Sequence, residues 1–241
     1  MKPVSRPISL LPLYTAVILC FLFIIHFTSQ SVTVMVEHGP VSDRTCIIVD
    51  AGHGGIDGGA TSCSGILESE LNLQIALRLN DLLHFIGYDT KMIRTTDTSI
   101  HTEGNTIAAQ KVSDLKQRVK LVNETDNALL LSIHQNTYPD SRYSGAQVFY
   151  AKDKISMELA QKMQGSLISA LNPGSKRRCK SSDSIYLMQN INTPGLLIEC
   201  GFLSNPAEES KLRDPEYQQH LCCVIAACCS EFLQQTPLIC Q

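Results

Sequence analysis

Two histidines and two glutamates stand where this chain could do chemistry. His53 lies in the turn Asp50-Ala51-Gly52-His53-Gly54-Gly55, directly after the apolar run Cys46-Ile47-Ile48-Val49. His134 ends the run Leu129-Leu130-Leu131-Ser132-Ile133 and precedes Gln135-Asn136. Glu199 follows Leu196-Leu197-Ile198, and Glu68 opens an amphipathic stretch. Imidazole and carboxylate groups suit a divalent ion such as Zn²⁺, whose catalytic sites take three protein ligands and keep one position open. A further carboxylate beside such an ion can take a proton from water and pass it to a leaving amine. Each residue alone has a plainer reading. His53 could be a turn residue, His134 a satisfied core histidine, Glu68 a helix-start acid and Glu199 half of a buried ion pair. The glycines around His53 could also cradle phosphate, but no Gly-Lys-Ser/Thr and no G-x-G-x-x-G follows.

The elements that must position these groups argue for convergence. Cys46–Asp50, Tyr88–Arg94, Ala128–His134, Ala146–Tyr150 and Leu196–Cys200 read as strands. Glu68–Ile86, Leu115–Val122, Ser156–Leu171 and Tyr217–Leu233 read as helices, with Gly87 as a stop signal. Near-continuous apolar strands alternating with helices predict an α/β single domain, with a twisted, mostly parallel central sheet flanked by helices (phosphorylase/hydrolase-like). In such sheets ligands bind beyond the carboxyl ends of the strands, where His53, His134 and Glu199 fall. Helix geometry chooses the third ligand. Glu68 shares a stripe with Leu71, Ile75 and Leu79, whereas Glu70 lies with Gln74, Arg78 and Asp81 on the polar face. Asp50 and Asp57 flank His53 and could orient its loop or its ring. Arg118 and Asn123 read as structural helix residues.

The 241 residues carry 20 Lys and Arg against 23 Asp and Glu, a net charge of −3 that leaves no basic footprint for nucleic acid. A hydrophobic fraction of 44% excludes a disordered chain. Leu10 to Phe27 is almost wholly apolar, with Lys2 and Arg6 before it. Such a run can span a hydrocarbon core of roughly 30 Å, and the positive flank would hold the rest of the chain outside. The expected layout is an N-terminal membrane anchor or cleaved signal segment over 1–30, a spacer over 31–43 and a catalytic domain over 44–241. The expected location is extracytoplasmic, as a single-pass anchored or secreted protein. Cys222, Cys223, Cys228 and Cys229 fall inside a helix and read as core filling rather than as a thiolate metal site. The basic run Lys176–Lys180 reads as a solvated loop that could touch an anionic peptide.

The segments IVDAGHGGIDGGA, LESELNLQIALRLNDLL, LLLSIHQN and GLLIECGFLSNPAEESKL resemble the zinc-dependent N-acetylmuramoyl-L-alanine amidases of the amidase_3 type. The resemblance runs from Arg44 to about Leu233. It implies His53, Glu68 and His134 as zinc ligands and Glu199 as the catalytic acid/base. Asn136, two residues after His134, could hydrogen-bond the substrate or orient His134. The implied reaction is hydrolysis of the amide between the lactyl group of N-acetylmuramic acid and L-alanine in peptidoglycan. IRTTDTSIHTEGNTIAAQKVSDLKQRVKLVNE and YSGAQVFY are similar to the germination-specific, spore-cortex subgroup (the CwlD type). That similarity implies a role in forming muramic-δ-lactam together with a partner deacetylase. Many family members carry an Arg after a late Tyr-x-Leu strand, where this chain has Gln189. The rival expectations are a zinc carboxypeptidase acting on wall peptides and a non-catalytic peptidoglycan-binding module.

Overall fold

Six strands form one sheet in the order β2-β1-β3-β6-β4-β5. They are β1 Cys46–Ala51, β2 Asp89–Met92, β3 Ala128–Asn136, β4 Gln147–Tyr150, β5 Lys180–Ser181 and β6 Gly195–Phe202. The computed structural model describes residues 45–236 and 238. The expected segment Leu10–Phe27 and the spacer lie outside the described residues. Among the described residues no helix is long and apolar enough to cross a membrane. The helices are α1 Glu68–Phe85, α2 Ile107–Asn123, α3 Lys154–Leu171, α4 Tyr186–Asn190, α5 Pro206–Arg213 and α6 Pro215–Gln235. The sheet is mixed. β2, β1, β3 and β6 pair in parallel, β4 runs antiparallel to β6, and β5 is parallel to β4.

The two faces of the sheet differ, because side chains alternate along each strand. Ile47, Val49, Leu129, Leu131, Ile133, Leu196 and Ile198 face a large core with α1, α3 and α6. Ile48, Ala128, Leu130 and Leu197 face a smaller cluster with Val122 of α2 and Leu187 and Met188 of α4. Continuing the alternation on that smaller face gives Asp50, Ser132, His134 and Glu199. The face is therefore apolar at the strand beginnings and polar toward their carboxyl ends.

Local chemistry explains where the helices begin. Thr106, Asp153, Asn205 and Asp214 each cap a helix by accepting a backbone N–H, and Pro206 and Pro215 sit in the first turn behind their caps. Gly87, at φ 97°, follows the end of α1 as expected. Some expectations need correction. Ile185-Tyr186-Leu187-Met188 runs into the short helix α4 rather than forming a strand. α2 starts eight residues earlier than the apolar pattern suggests, because its inward face carries Ser113, Asp114 and Arg118. The eight cysteines among the described residues are free thiols. Cys222, Cys228 and Cys229 pack in the core, whereas Cys223 is exposed.

Candidate active site

His53, Glu68 and His134 meet beyond the ends of β1 and β3. Glu68 Oε1 lies 3.3 Å from His53 Nε2 and 3.0 Å from His134 Nδ1. The three potential ligand atoms lie within 4.8 Å of one another, which allows one ion to reach all three. Glu70 is exposed and takes no part, as the helix stripe predicts.

His53 is placed by an unusual turn. Its φ of 61° is left-handed, and Gly54 and Gly55 follow at 134° and 59°. Gly54 and Asp57 exchange both backbone hydrogen bonds, at 2.8 and 3.2 Å. His53 Nδ1 donates to Asp57 Oδ2 at 2.9 Å, and Lys111 Nζ holds Asp57 Oδ1 at 2.7 Å. Nδ1 is thereby committed and Nε2 is aimed at Glu68. This is the orienting role expected of Asp57.

Glu68 is placed by the loop before it. α1 has no capping side chain. Its first amides are taken by carbonyls instead: Glu68 N donates to Ala60 O at 2.8 Å and Ser69 N to Gly58 O at 3.0 Å. In return Ala60 N donates to Glu68 Oε2 at 2.9 Å. Gln135 N and Asn72 Nδ2 donate to Oε1 at 3.1 and 3.3 Å, so the carboxylate is fixed on both oxygens. Only 3% of Glu68 is exposed. Burial alone would raise its carboxyl, but His134 and His53 hold it well below the usual carboxylate range. Burial alone would lower His53, but Glu68 and Asp57 lift it to about 9. Without a metal, His53 therefore keeps a proton at neutral pH that an incoming cation must displace. Apparent metal affinity should rise about tenfold per unit between pH 6 and 9. A chelator competition series across that window checks this, and a flat profile would contradict it.

His134 requires space made by Gly52. A Cβ there would lie 2.1 Å from His134 Nε2. Gly52→Ala should displace the ring, empty the metal from the site and cut activity by about 10²-fold or more. Metal content and thermal melting of the same preparation separate this local effect from unfolding.

Glu199 pairs directly across from His134 in the parallel β3–β6 ladder. Its Oε2 is buried with no hydrogen-bond partner, and burial pushes the carboxyl up to about 7. Among the described residues no Arg or Lys pairs with it, so the ion-pair reading has no support. One residue further along β6 the register shifts, and Asn136 pairs with Phe202. This bulge turns Phe202 to the face of Glu199. The Asn136 side chain makes no hydrogen bond to the described residues. It lies on the same face as His134 without orienting it; Glu68 does that.

Beneath the His53 turn lie two buried guanidiniums. Arg118 Nη1 binds Asp50 Oδ1 and donates to Ala51 O at 2.9 Å, and Nη2 donates to His53 O at 2.6 Å. Its Nε donates to Asp114 at 2.6 Å, while Ser132 Oγ donates to the other Asp50 oxygen at 2.6 Å. Arg94 donates to Ala51 O, Gly52 O and Ser69 O at 2.8, 3.0 and 2.9 Å. The carbonyls of residues 51, 52 and 53 are thus all anchored. The sequence pointed to Asp50 and treated Arg118 as structural, but it did not single out Arg94, Asn72 or Lys111. An Asp114–Arg118 pair at i, i+4 on a sheet-facing stripe was the available signal.

The basic run is solvated at Lys176, Arg178 and Lys180, as expected, whereas Arg177 is half-buried and lies over the Phe202 ring. Gln189 donates to Ser182 O at 2.7 Å, and Ser182 binds Tyr150 O near the beginning of β6. That end of β6 is away from Glu199, so Gln189 lies apart from the His53, Glu68 and His134 cluster.

With this geometry in hand, the comparisons are specific. The family described as N-acetylmuramoyl-L-alanine amidase matches residues 47–229. The germination-specific N-acetylmuramoyl-L-alanine amidase of Bacillus subtilis (strain 168) is 42% identical over 181 residues, covering 74% of this chain and 75% of that protein. The CwlD amidase from Clostridioides difficile, solved in complex with the GerS lipoprotein, superposes with a TM-score of 0.75 at 37% identity. That match covers 80% of this chain and 99% of that one. An N-acetylmuramoyl-L-alanine amidase from Clostridium difficile 630 superposes at 0.69 with 32% identity, over 81% of this chain and 99% of its own.

Proposed function

The chain belongs to the N-acetylmuramoyl-L-alanine amidase family, and from that premise we propose that it strips stem peptides from spore-cortex peptidoglycan with a zinc ion held by His53, Glu68 and His134. As a cell-wall amidase it cleaves the bond between the lactyl group of N-acetylmuramic acid and L-alanine. The observation that carries the mechanism is the orphaned Oε2 of Glu199 beside two imidazoles and a buried carboxylate. Two histidines and one glutamate are a ligand set that suits zinc. When bound, zinc would supply Lewis acidity to the carbonyl under attack and to the attacking water.

The chain's own residues supply the rest. Glu199 Oε2 takes the proton of the attacking water and delivers it to the departing alanine nitrogen. A carboxyl near 7 is matched to both transfers at neutral pH. Asp57 and Lys111 hold the His53 ring, and Asn72 and Gln135 hold Glu68, so neither ligand has to reorganise. Asn136 offers its amide to the substrate from the end of β3.

The spore-cortex assignment draws on the germination-specific relative. In that setting the product, a peptide-free muramic acid, would pass to a deacetylase for lactam closure. The complex of the similar CwlD amidase with a lipoprotein supports a lipoprotein partner for this chain too. Leu10–Phe27 would hold the domain at the outer membrane face, next to its polymer. Digestion of purified spore sacculi tests the reading. New L-alanine N-termini with peptide-free muramic acid are expected. Release of D-alanine instead would point to a carboxypeptidase, and binding without cleavage would leave only a wall-binding module.

A further inference from the structure

The bulge in β6 builds a second feature on the face of Glu199. Phe202, turned to that side, is 2% exposed. The Arg177 guanidinium lies 4.7 Å from its ring centroid. The Tyr143 ring stands 6.1 Å from Phe202, and the Tyr138 ring stands 4.4 Å from Tyr143. Both tyrosines are nearly half exposed, at 48% and 45%. The loop that carries them leaves β3 immediately after Asn136, so it borders the cleft.

This loop is pinned rather than loose. Tyr138 N donates to Ser204 Oγ at 3.0 Å, Asn205 Nδ2 to Tyr143 O at 3.2 Å, and Gly145 N to Glu208 Oε2 at 2.7 Å. Arg177 belongs to the same assembly. Its Nε donates to Ser144 O at 2.8 Å and its Nη1 to Gln147 Oε1 at 3.3 Å. Gln147 in turn pairs opposite Glu199 in the β4–β6 ladder. The guanidinium is therefore held on three sides, by Ser144 O, Gln147 Oε1 and the Phe202 ring, and Gln147 links it to the strand position opposite Glu199. Yet among the described residues no Asp or Glu pairs with it, and Nη2 has no hydrogen-bond partner. Arg142 in the same loop is paired with Asp140, and Arg94 and Arg118 each donate through all three guanidinium nitrogens. A fixed guanidinium without a counter-charge, walled by aromatic rings, is preorganised to receive a carboxylate.

Resting on the amidase reading, we infer that Arg177, Tyr138 and Tyr143 form a stem-peptide subsite that binds a free carboxylate on the residue after L-alanine. In peptidoglycan that residue is a γ-linked glutamate whose α-carboxyl is either free or amidated. Arg177 Nη2 distinguishes the two, because only the free acid offers a charged acceptor. The tyrosine rings pack along the peptide.

The test uses the zinc-loaded protein and two soluble muropeptides that differ only in that α-carboxyl, free or amidated. The wild type should prefer the free acid by about tenfold in kcat/KM, chiefly through KM. Arg177→Met, which keeps an apolar stem over Phe202, should bring that ratio to about one, and Arg177→Lys should restore part of it. A ratio that survives in Arg177→Met, or no preference in the wild type, overturns the inference. So does an equal loss on both substrates with the ratio intact, the mark of a purely structural role. Calorimetric binding of the free stem peptide, acid against amide, separates this from the amidase reading. Arg177-dependent preference for the acid without cleavage of either muropeptide would sink the enzyme assignment and keep the subsite. Equal binding of both peptides beside normal cleavage would do the reverse.

Discussion

Glu199→Gln is expected to lower kcat by about 10³-fold, within the range for loss of a general acid–base group, while metal content stays unchanged. The substitution is nearly isosteric. Oε2 accepts no hydrogen bond in the fold, so no protein donor is orphaned by the change. Glutamine is also neutral, and it removes a buried carboxyl whose ionisation burial disfavours. Stability should therefore hold or rise slightly as turnover disappears. This combination distinguishes a proton-transfer role from a packing role. Turnover within tenfold of wild type would contradict the mechanism, and so would loss of the metal. Single-turnover cleavage, metal analysis and a melt on one preparation give all three readings.

The second large effect is on folding. Arg118→Met should cost about 3–5 kcal/mol, the usual penalty for removing one partner of a buried ion pair. Arg118 is 2% exposed and Asp50 is fully buried. The change also strands the Ala51 and His53 carbonyls that Arg118 holds. The sign of the pH dependence follows from Asp50. Burial would raise its carboxyl, but Arg118 and Ser132 keep it below the ordinary value in the wild type. That contribution is present above the unfolded pKa and is lost as pH falls through the folded one. In the variant burial dominates, the folded pKa rises above the unfolded one, and ionisation at neutral pH becomes the penalty. The deficit should be largest near pH 7 and shrink on acidification toward pH 4. Urea unfolding of both proteins at the two values checks this. A deficit that is constant with pH would show that the pair is not its source. The double variant with Asp50→Asn should recover part of the loss.

Much of the site could be read from residue types and spacing. His53, His134 and Glu199 were legible because each ends an apolar run, and parallel strands bring such ends together. Glu68 was legible because its helical stripe is apolar where that of Glu70 is polar. What stayed hidden was the support beneath. Arg94 and Arg118 act on carbonyl oxygens, and carbonyl partners leave no trace in a pattern of side chains. The same polar support concealed the first half of α2, whose buried positions are Ser113 and Asp114 where periodicity looks for leucine. The bulge at His134–Asn136 was also invisible, since a one-residue register shift is decided by pairing between residues as distant in sequence as Asn136 and Phe202. Without it Phe202 would point away from Glu199, and Arg177 reads as one more surface cation. At α4 the strand came only from the family resemblance, and five residues are too few for a helical period to speak against it.

The unequal faces of the sheet have a mechanical consequence. α1 packs its leucines into the large core, yet its first residue reaches the metal cleft. Midway along its length α6 grips it, through Arg78 to Gln218 at 3.0 Å and Gln218 to Gln74 at 3.2 Å. α1 is thus a lever with its load at Glu68 and its bearing on the closing helix. Repacking at Cys222 or Ile225, on the far side of the sheet from His134, would tilt that lever. Metal affinity at His53, Glu68 and His134 would then be a remote gauge of how well the opposite side is packed.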